Sequence, residues 1–144
     1  MFSDMFRNHL LMNALLAWAT AQILKFIIYL AVNRSLDWDR LLGDGGMPSG
    51  HSATVTALAV TSGIEYGCGS PVFAVCLILA IIVMHDAMGV RREAGRHAKA
   101  INELLEMLSS EQEPEAKLKE FLGHSPLQVC CGAVLGLAVA CALG

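Results

Sequence analysis

The chain has 144 residues, enough for one domain and too few for two ordinary ones. Its residues are 55% hydrophobic and only 16% charged, whereas a soluble domain carries about 25% charged residues. This composition, with a mean hydropathy of +0.54, argues against a soluble globule and for a membrane protein. The formal net charge of -3 gives no bulk attraction to nucleic acid, so we predict no nucleic-acid partner and only a local anion site.

The first long apolar segment covers residues 10–32 and is interrupted only by Asn13, Gln22 and Lys25. As a helix it would span roughly 35 Å, and the hydrocarbon core of a bilayer is about 30 Å thick. We therefore predict a first transmembrane helix. A cleaved signal peptide is the competing interpretation, but the segment is long for one and contains a lysine.

Three further apolar segments predict an all-α, integral-membrane bundle of about four transmembrane helices in a single domain, residues 1–144. Residues 51–65 and 72–88 are joined by a Gly/Pro turn and should form an antiparallel pair. Residues 127–144 form the last helix, with Ser125 as its N-cap and Pro126 at its first position.

Small residues recur at four-residue spacing along the last helix, at Gly132, Gly136 and Ala140. Such a stripe lets another helix approach closely. The partner helix would lie either in the same bundle or across a homodimer.

A polar insertion, residues 89–124, precedes that last helix. Its apolar residues follow helical spacing twice, which predicts two amphipathic helices on the membrane surface or over the bundle. The first set is Ile101, Leu104, Leu105 and Leu108, and the weaker second set is Leu118, Phe121 and Leu122.

The five cysteines are odd in number and show neither CxxC nor Cys/His ligand spacing. We predict that they are small buried apolar residues rather than disulfide or metal ligands. No metal and no other cofactor is expected.

Four predicted spans bring the unusual polar residues to one side of the membrane. Lys25 lies in the second half of the first helix, the second helix starts at residues 48–51, and Arg91 and Arg92 follow the third. His124 precedes the fourth. Arginines, histidines and a helix N-terminus are together what a phosphate site requires.

These residues also carry a family resemblance. Residues 46–53, GMPSGHSA, look like the PSGH motif of the type 2 phosphatidic acid phosphatase superfamily, which also contains vanadium-dependent haloperoxidases. Residues 86–95, DAMGVRREAG, and residues 123–126, GHSP, are similar to its small divergent bacterial and plastid branch. The three blocks occur in the expected order, and the resemblance covers about residues 21–136.

The resemblance implies roles for individual residues. His51 would be the general acid for the leaving alkoxide, beside Ser49 and Gly50 as ligands of phosphate oxygens. Arg91 or Arg92 would match the phosphate-binding arginine, and His124 the nucleophile. Lys25 could match the lysine of the first motif.

Two departures from the superfamily pattern stand out. Arg92 and His124 are separated by 31 residues, where the pattern has only a few, and Gln128 stands where an aspartate should orient the nucleophile. We expect Gln128 to hydrogen-bond the other ring nitrogen of His124, one helical turn away. Asp86 is expected to be a structural partner of Lys25 or of an arginine.

The leading hypothesis is a metal-independent membrane phosphatase with a histidine nucleophile, acting on a lipid phosphate monoester such as phosphatidylglycerophosphate, phosphatidate or a polyprenyl phosphate. The alternative is a non-catalytic protein that binds or senses lipid phosphates, which Gln128 favours. A small transporter is a third hypothesis, but transporters of this size typically bury an acid, and the charged residue here is Lys25.

The cationic residues predict the orientation. Eight lie in the two loops on the site side: Arg34, Arg40, Arg91, Arg92, Arg96, Lys99, Lys117 and Lys119, against Arg7 on the other side. The positive-inside rule then predicts a multi-pass protein of the plasma membrane, surrounded by membrane lipids, with its site facing the cytoplasm.

Overall fold

The computed structural model describes residues 2–34, 46–108, 118 and 123–144. Within these residues the chain forms helices and no strand, so the all-α prediction is confirmed. The helices are α1 (Phe2–Phe6), α2 (His9–Asn33), α3 (Gly50–Tyr66), α4 (Pro71–Met88), α5 (Val90–Leu108) and α6 (Pro126–Leu143). The observed ends of these bundle helices agree to within one residue with the ends of the four apolar segments in the sequence. The bundle helices are α2, α3, α4 and α6.

Polar caps set where the bundle helices begin. Asn8, Ser49, Ser70 and Ser125 each accept a hydrogen bond from the backbone N–H three residues further on. Pro71 and Pro126 occupy early helical positions, where their missing N–H costs no helical hydrogen bond. The chain therefore encodes these helix starts locally.

Within the described part of the chain, three helical segments are long and apolar enough to cross a membrane: His9–Asn33, Pro71–Met107 and Pro126–Leu143. The second joins α4 to the polar, strongly amphipathic α5. The remaining bundle helix, α3, has 17 residues. It packs against α2, α4 and α6 and is the centre of the bundle.

The composition of α3 follows from this central position. Eight of its residues are buried, all of them Gly, Ala, Ser, Thr or Val. A helix enclosed by other helices needs no large apolar side chains toward lipid, and small residues let its neighbours approach. This explains why α3 is the least hydrophobic of the four bundle helices.

The small-residue stripe of α6 faces α3 inside the bundle. A methyl group on Gly132 would overlap the carbonyl oxygen of Ser49, and one on Gly136 would overlap that of Ala53. Ala140 is fully buried. The stripe therefore brings α6 into backbone contact with α3.

The prediction of buried cysteines is wrong for three of the five. Cys76 is buried, but Cys68, Cys130 and Cys141 are exposed, and all five thiols are free. Two of the exposed thiols lie on α6 away from its stripe, where a small apolar side chain can face lipid. In the insertion, α5 is amphipathic as predicted. The second predicted amphipathic helix lies, except for Leu118, outside the described residues.

Candidate functional site

The first turns of α3 and α6 lie side by side at one end of the bundle. The backbone N–H of Ser49 donates to the carbonyl oxygen of Gln128 at 3.1 Å, and Gly132 packs directly on the Ser49 carbonyl. Helix N-termini carry unpaired N–H groups and partial positive charge. This end of the bundle is therefore suited to an anion.

Two histidines meet between these helix starts. His51 belongs to the first turn of α3, and His124 directly precedes the N-cap of α6. Their ring centroids are 5.9 Å apart, in an edge arrangement with an interplanar angle of 60°. His124 is 4% exposed and His51 is half-buried. One small ligand at this place can contact both rings.

The ring of His124 is oriented by Gln128. Its Nδ1 lies 3.3 Å from the Gln128 Oε1, and that oxygen also accepts the backbone N–H of Ser125 at 2.9 Å within a capping box. Because an amide oxygen only accepts, this contact assigns the hydrogen to Nδ1 and the lone pair to Nε2 in the neutral ring. The expected side-chain contact between these residues is present.

The backbone at His124 is anchored on α4 and α5. The His124 N–H donates to the carbonyl oxygen of Ala87 at 2.9 Å. Gly123 has a φ of +81°, and a Cβ there would lie 2.5 Å from the backbone nitrogen of Arg92. Only glycine fits this approach. The 31 residues between Arg92 and His124 therefore separate two positions that are adjacent in space.

The two arginines have different surroundings. The Nε of Arg91 donates to the Oδ2 of Asp86 at 3.1 Å, in an exposed ion pair. Asp86 is thus the partner of an arginine, one of its two expected partners. Arg92 makes no ion pair with another residue that the structure describes, so it is the better candidate for an anion.

Lys25 approaches the same region from α2. It is 8% exposed, and a Cβ on Gly46 would lie 3.2 Å from its Cγ. The aliphatic part of the Lys25 side chain therefore packs against Gly46, three residues before the cap residue Ser49. The Ser49 hydroxyl is itself fully buried and accepts from the backbone N–H of Ser52 at 3.3 Å, as the helix cap.

Sequence inspection did not identify Trp18 and Gln22 as neighbours of the site. Both lie beside Gly50, and the buried Oε1 of Gln22 has no hydrogen-bond partner among the described residues. A signal was present, because positions 18, 22 and 25 have the spacing of one helical face. This face of α2 covers the start of α3.

The structure thus gathers His51, His124, Gln128, Ser49 and Gly50, with Lys25 and the Arg92 backbone next to this group. The Asp86–Arg91 pair is exposed at the junction of α4 and α5. Among the described residues, no group of three or more His, Cys, Asp or Glu side chains could hold a metal ion. The arrangement offers two imidazoles and cationic or N–H donors for an anion's oxygens.

Comparisons with known proteins identify the family of the chain. Residues 6–139 match the family model described as the divergent PAP2 family. The chain is 41% identical over a 146-residue alignment to the uncharacterized membrane protein YuiD of Bacillus subtilis (strain 168), covering 93% of this chain and 92% of that relative. No solved structure matches significantly. The chain is therefore a helical membrane protein that belongs to the divergent PAP2 family.

Proposed function

We propose that this protein is a membrane phosphatase that hydrolyses a lipid phosphate monoester through a histidine nucleophile. The observation behind the proposal is the pair of imidazoles, His51 and His124, 5.9 Å apart at the paired N-termini of α3 and α6. Membership of the divergent PAP2 family supports the same chemistry.

The proposed reaction has two steps. In the first, Nε2 of His124 attacks phosphorus, the bond to the lipid oxygen breaks, and His51 gives its proton to that oxygen. In the second, His51 takes a proton from water, which attacks the phosphohistidine and releases inorganic phosphate and the His124 imidazole. The Nδ1–H of His124 stays hydrogen-bonded to the Oε1 of Gln128 in both steps.

Electrostatic stabilisation of the transferring phosphoryl group would come from the protein itself. We propose that the N–H groups at the start of α3 act together with Lys25, whose side chain contacts Gly46, and with Arg92, whose backbone lies beside Gly123, to supply positive potential there. These donors can neutralise the charge on the phosphoryl oxygens without a metal ion.

The substrate class follows from the place of the site. It lies at one end of a bundle whose α2 and α4 expose many large apolar side chains, as lipid-facing helices do. A lipid could present its phosphate there while its tail stays in the bilayer. Phosphatidylglycerophosphate, phosphatidate and polyprenyl phosphate all fit this description, and the cationic loops favour a site facing the cytoplasm of the plasma membrane.

A second candidate function is lipid-phosphate binding without turnover, and Gln128 favours it. The neutral amide orients His124 but does not stabilise an imidazolium as a carboxylate would. We therefore expect slow turnover.

Phosphate release from the three lipid phosphates, by purified protein in detergent with EDTA, tests the proposal. We expect slow release that orthovanadate blocks and that His124→Ala abolishes. His51→Ala should still transfer phosphate from aryl phosphates, whose leaving groups need no acid. His85→Ala, an exposed histidine near the end of α4, is the matched control and should behave as wild type.

Gln128→Glu separates the two candidate functions. A carboxylate keeps both acceptor contacts of Gln128 and suits the capping box, so turnover should rise about tenfold or more. Tight binding of lipid phosphate with no release by either protein would contradict the phosphatase proposal and support the binding function.

A further inference from the structure

One polar side chain of α5 is buried although its neighbours along the helix are exposed. Asn102 on α5 is 5% exposed, whereas the next residues, Glu103 and Leu104, are exposed. Asparagine is a weak helix former, and its amide must find partners when it is buried. The position therefore has a specific role beyond helix formation.

The side chain of Asn102 makes two hydrogen bonds with backbone groups of Leu118. Its Nδ2 donates to the Leu118 carbonyl oxygen at 3.0 Å, and its Oδ1 accepts the Leu118 N–H at 3.0 Å. The side-chain amide of Asn102 thus satisfies both the N–H and the carbonyl oxygen of Leu118. These two bonds, the Asn102 clamp, tie the chain that returns from α5 to α5 itself.

The clamped residue lies six positions before His124. Between the clamp and the imidazole, the backbone makes two more close contacts, of Gly123 with Arg92 and of the His124 N–H with the Ala87 carbonyl. Fixing the chain at Leu118 lowers the conformational entropy that works against both contacts. The Asn102 clamp thereby favours the conformation in which His124 makes its backbone contact with Ala87.

We propose that Asn102 is a positioning residue for His124, which it places through the backbone of Leu118. The inference rests on the proposed function for its catalytic consequence only, since the placement of the His124 backbone can be measured without turnover. The Asn102 clamp also helps to explain how Arg92 and His124 can be adjacent in space although a long insertion separates them in the sequence.

Amide hydrogen exchange on the full chain in detergent tests the placement. In Asn102→Ala we expect the Leu118 and His124 amides to exchange about tenfold faster or more, while amides in the middle of α3 keep their protection. Glu103→Ala, the adjacent exposed residue, should leave all of these amides unchanged. Unchanged exchange at His124 in Asn102→Ala overturns the proposal.

Steady-state kinetics on lipid phosphate measure the catalytic consequence. Asn102→Ala should lower kcat by about 10- to 100-fold, the cost of a small misplacement, with little change in KM because the phosphate donors on α2 and α3 are untouched. Asn102→Asp keeps the acceptor for the Leu118 N–H, so its kcat should lie between those of wild type and Asn102→Ala. A loss of kcat that only follows the fraction of folded protein overturns the positioning role. Absence of turnover in wild type contradicts the proposed function, and hydrogen exchange then decides the placement alone.

Discussion

The two ends of the bundle use buried polar groups differently. At the end away from the histidines, the amide of Asn13 donates to the Thr61 hydroxyl at 3.2 Å between α2 and α3. Nearby, the Nδ1 of His9 lies 2.8 Å from the Glu65 carboxylate in a largely exposed pair. Each of these groups finds its partner within the protein, so this end has a structural role.

At the site end the converging groups are mostly donors or cations. They are the N–H groups at the start of α3, the buried Lys25 and the two imidazoles. A bundle in lipid gains little stability from such a concentration, since burying charge is costly. The comparison teaches that the polar groups paired between α2 and α3 serve the fold, whereas the donors and cations that converge at the helix starts mark the candidate site. The following experiments test that contrast.

The largest effect is expected where the site end depends on helix contact. Gly132→Leu would push α6 away from the Ser49 carbonyl, and overpacking of this kind costs about 1–3 kcal/mol or more. We expect loss of the folded, monodisperse protein in size-exclusion chromatography and thermal melting. Ala138→Leu, on the exposed side of the same helix, should melt as wild type does. Normal melting of Gly132→Leu would show that α6 does not pack on α3 in this way.

Lys25→Met should produce the next largest effect, on activity. The methionine keeps an unbranched stem of similar length and removes the ammonium from the site end. We expect turnover to fall by about 10²–10³, the usual loss on removing one electrostatic contact to a transition state. Ile27→Met, at an exposed position of α2, serves as the control. Turnover close to wild type in Lys25→Met would exclude the lysine from the proposed phosphate site.

The smallest effect is expected at the opposite end. A double-mutant cycle of Asn13→Leu and Thr61→Val should give a coupling energy of about 0.6 kcal/mol, the average for hydrogen bonds between membrane helices. Both single variants should keep wild-type turnover. A specific loss of kcat in either of them would contradict the division of roles between the two ends.

Much of the fold could be predicted from the sequence because its signals are local. Apolar runs of bilayer length, serine caps and early prolines define the starts of α4 and α6 within a few residues of chain. The histidine pair was also predictable, since PSGH and GHSP each stand at a helix start. The contact of His124 with Gln128 follows from their four-residue separation across the N-cap of α6.

Other features required the tertiary structure because they join distant parts of the chain. Hydropathy does not show that α3 is the central helix, since membrane helices associate through close packing of small residues. Nor does the sequence spacing reveal that Asp86 forms an ion pair with Arg91, whereas the backbone of Arg92 lies beside Gly123. Asn102 looks like a solvated residue until its contacts with Leu118 are known.

The sequence by itself determined the class of the protein, the limits of its bundle helices and the residue types available for phosphate chemistry. Each of these depends on neighbouring residues, through helix propensity, capping and hydropathy. The tertiary structure decided which helix is enclosed, that the small-residue stripe of α6 faces α3, and how the long insertion returns His124 to Arg92. These depend on backbone contacts between residues far apart in the chain, which no local pattern encodes.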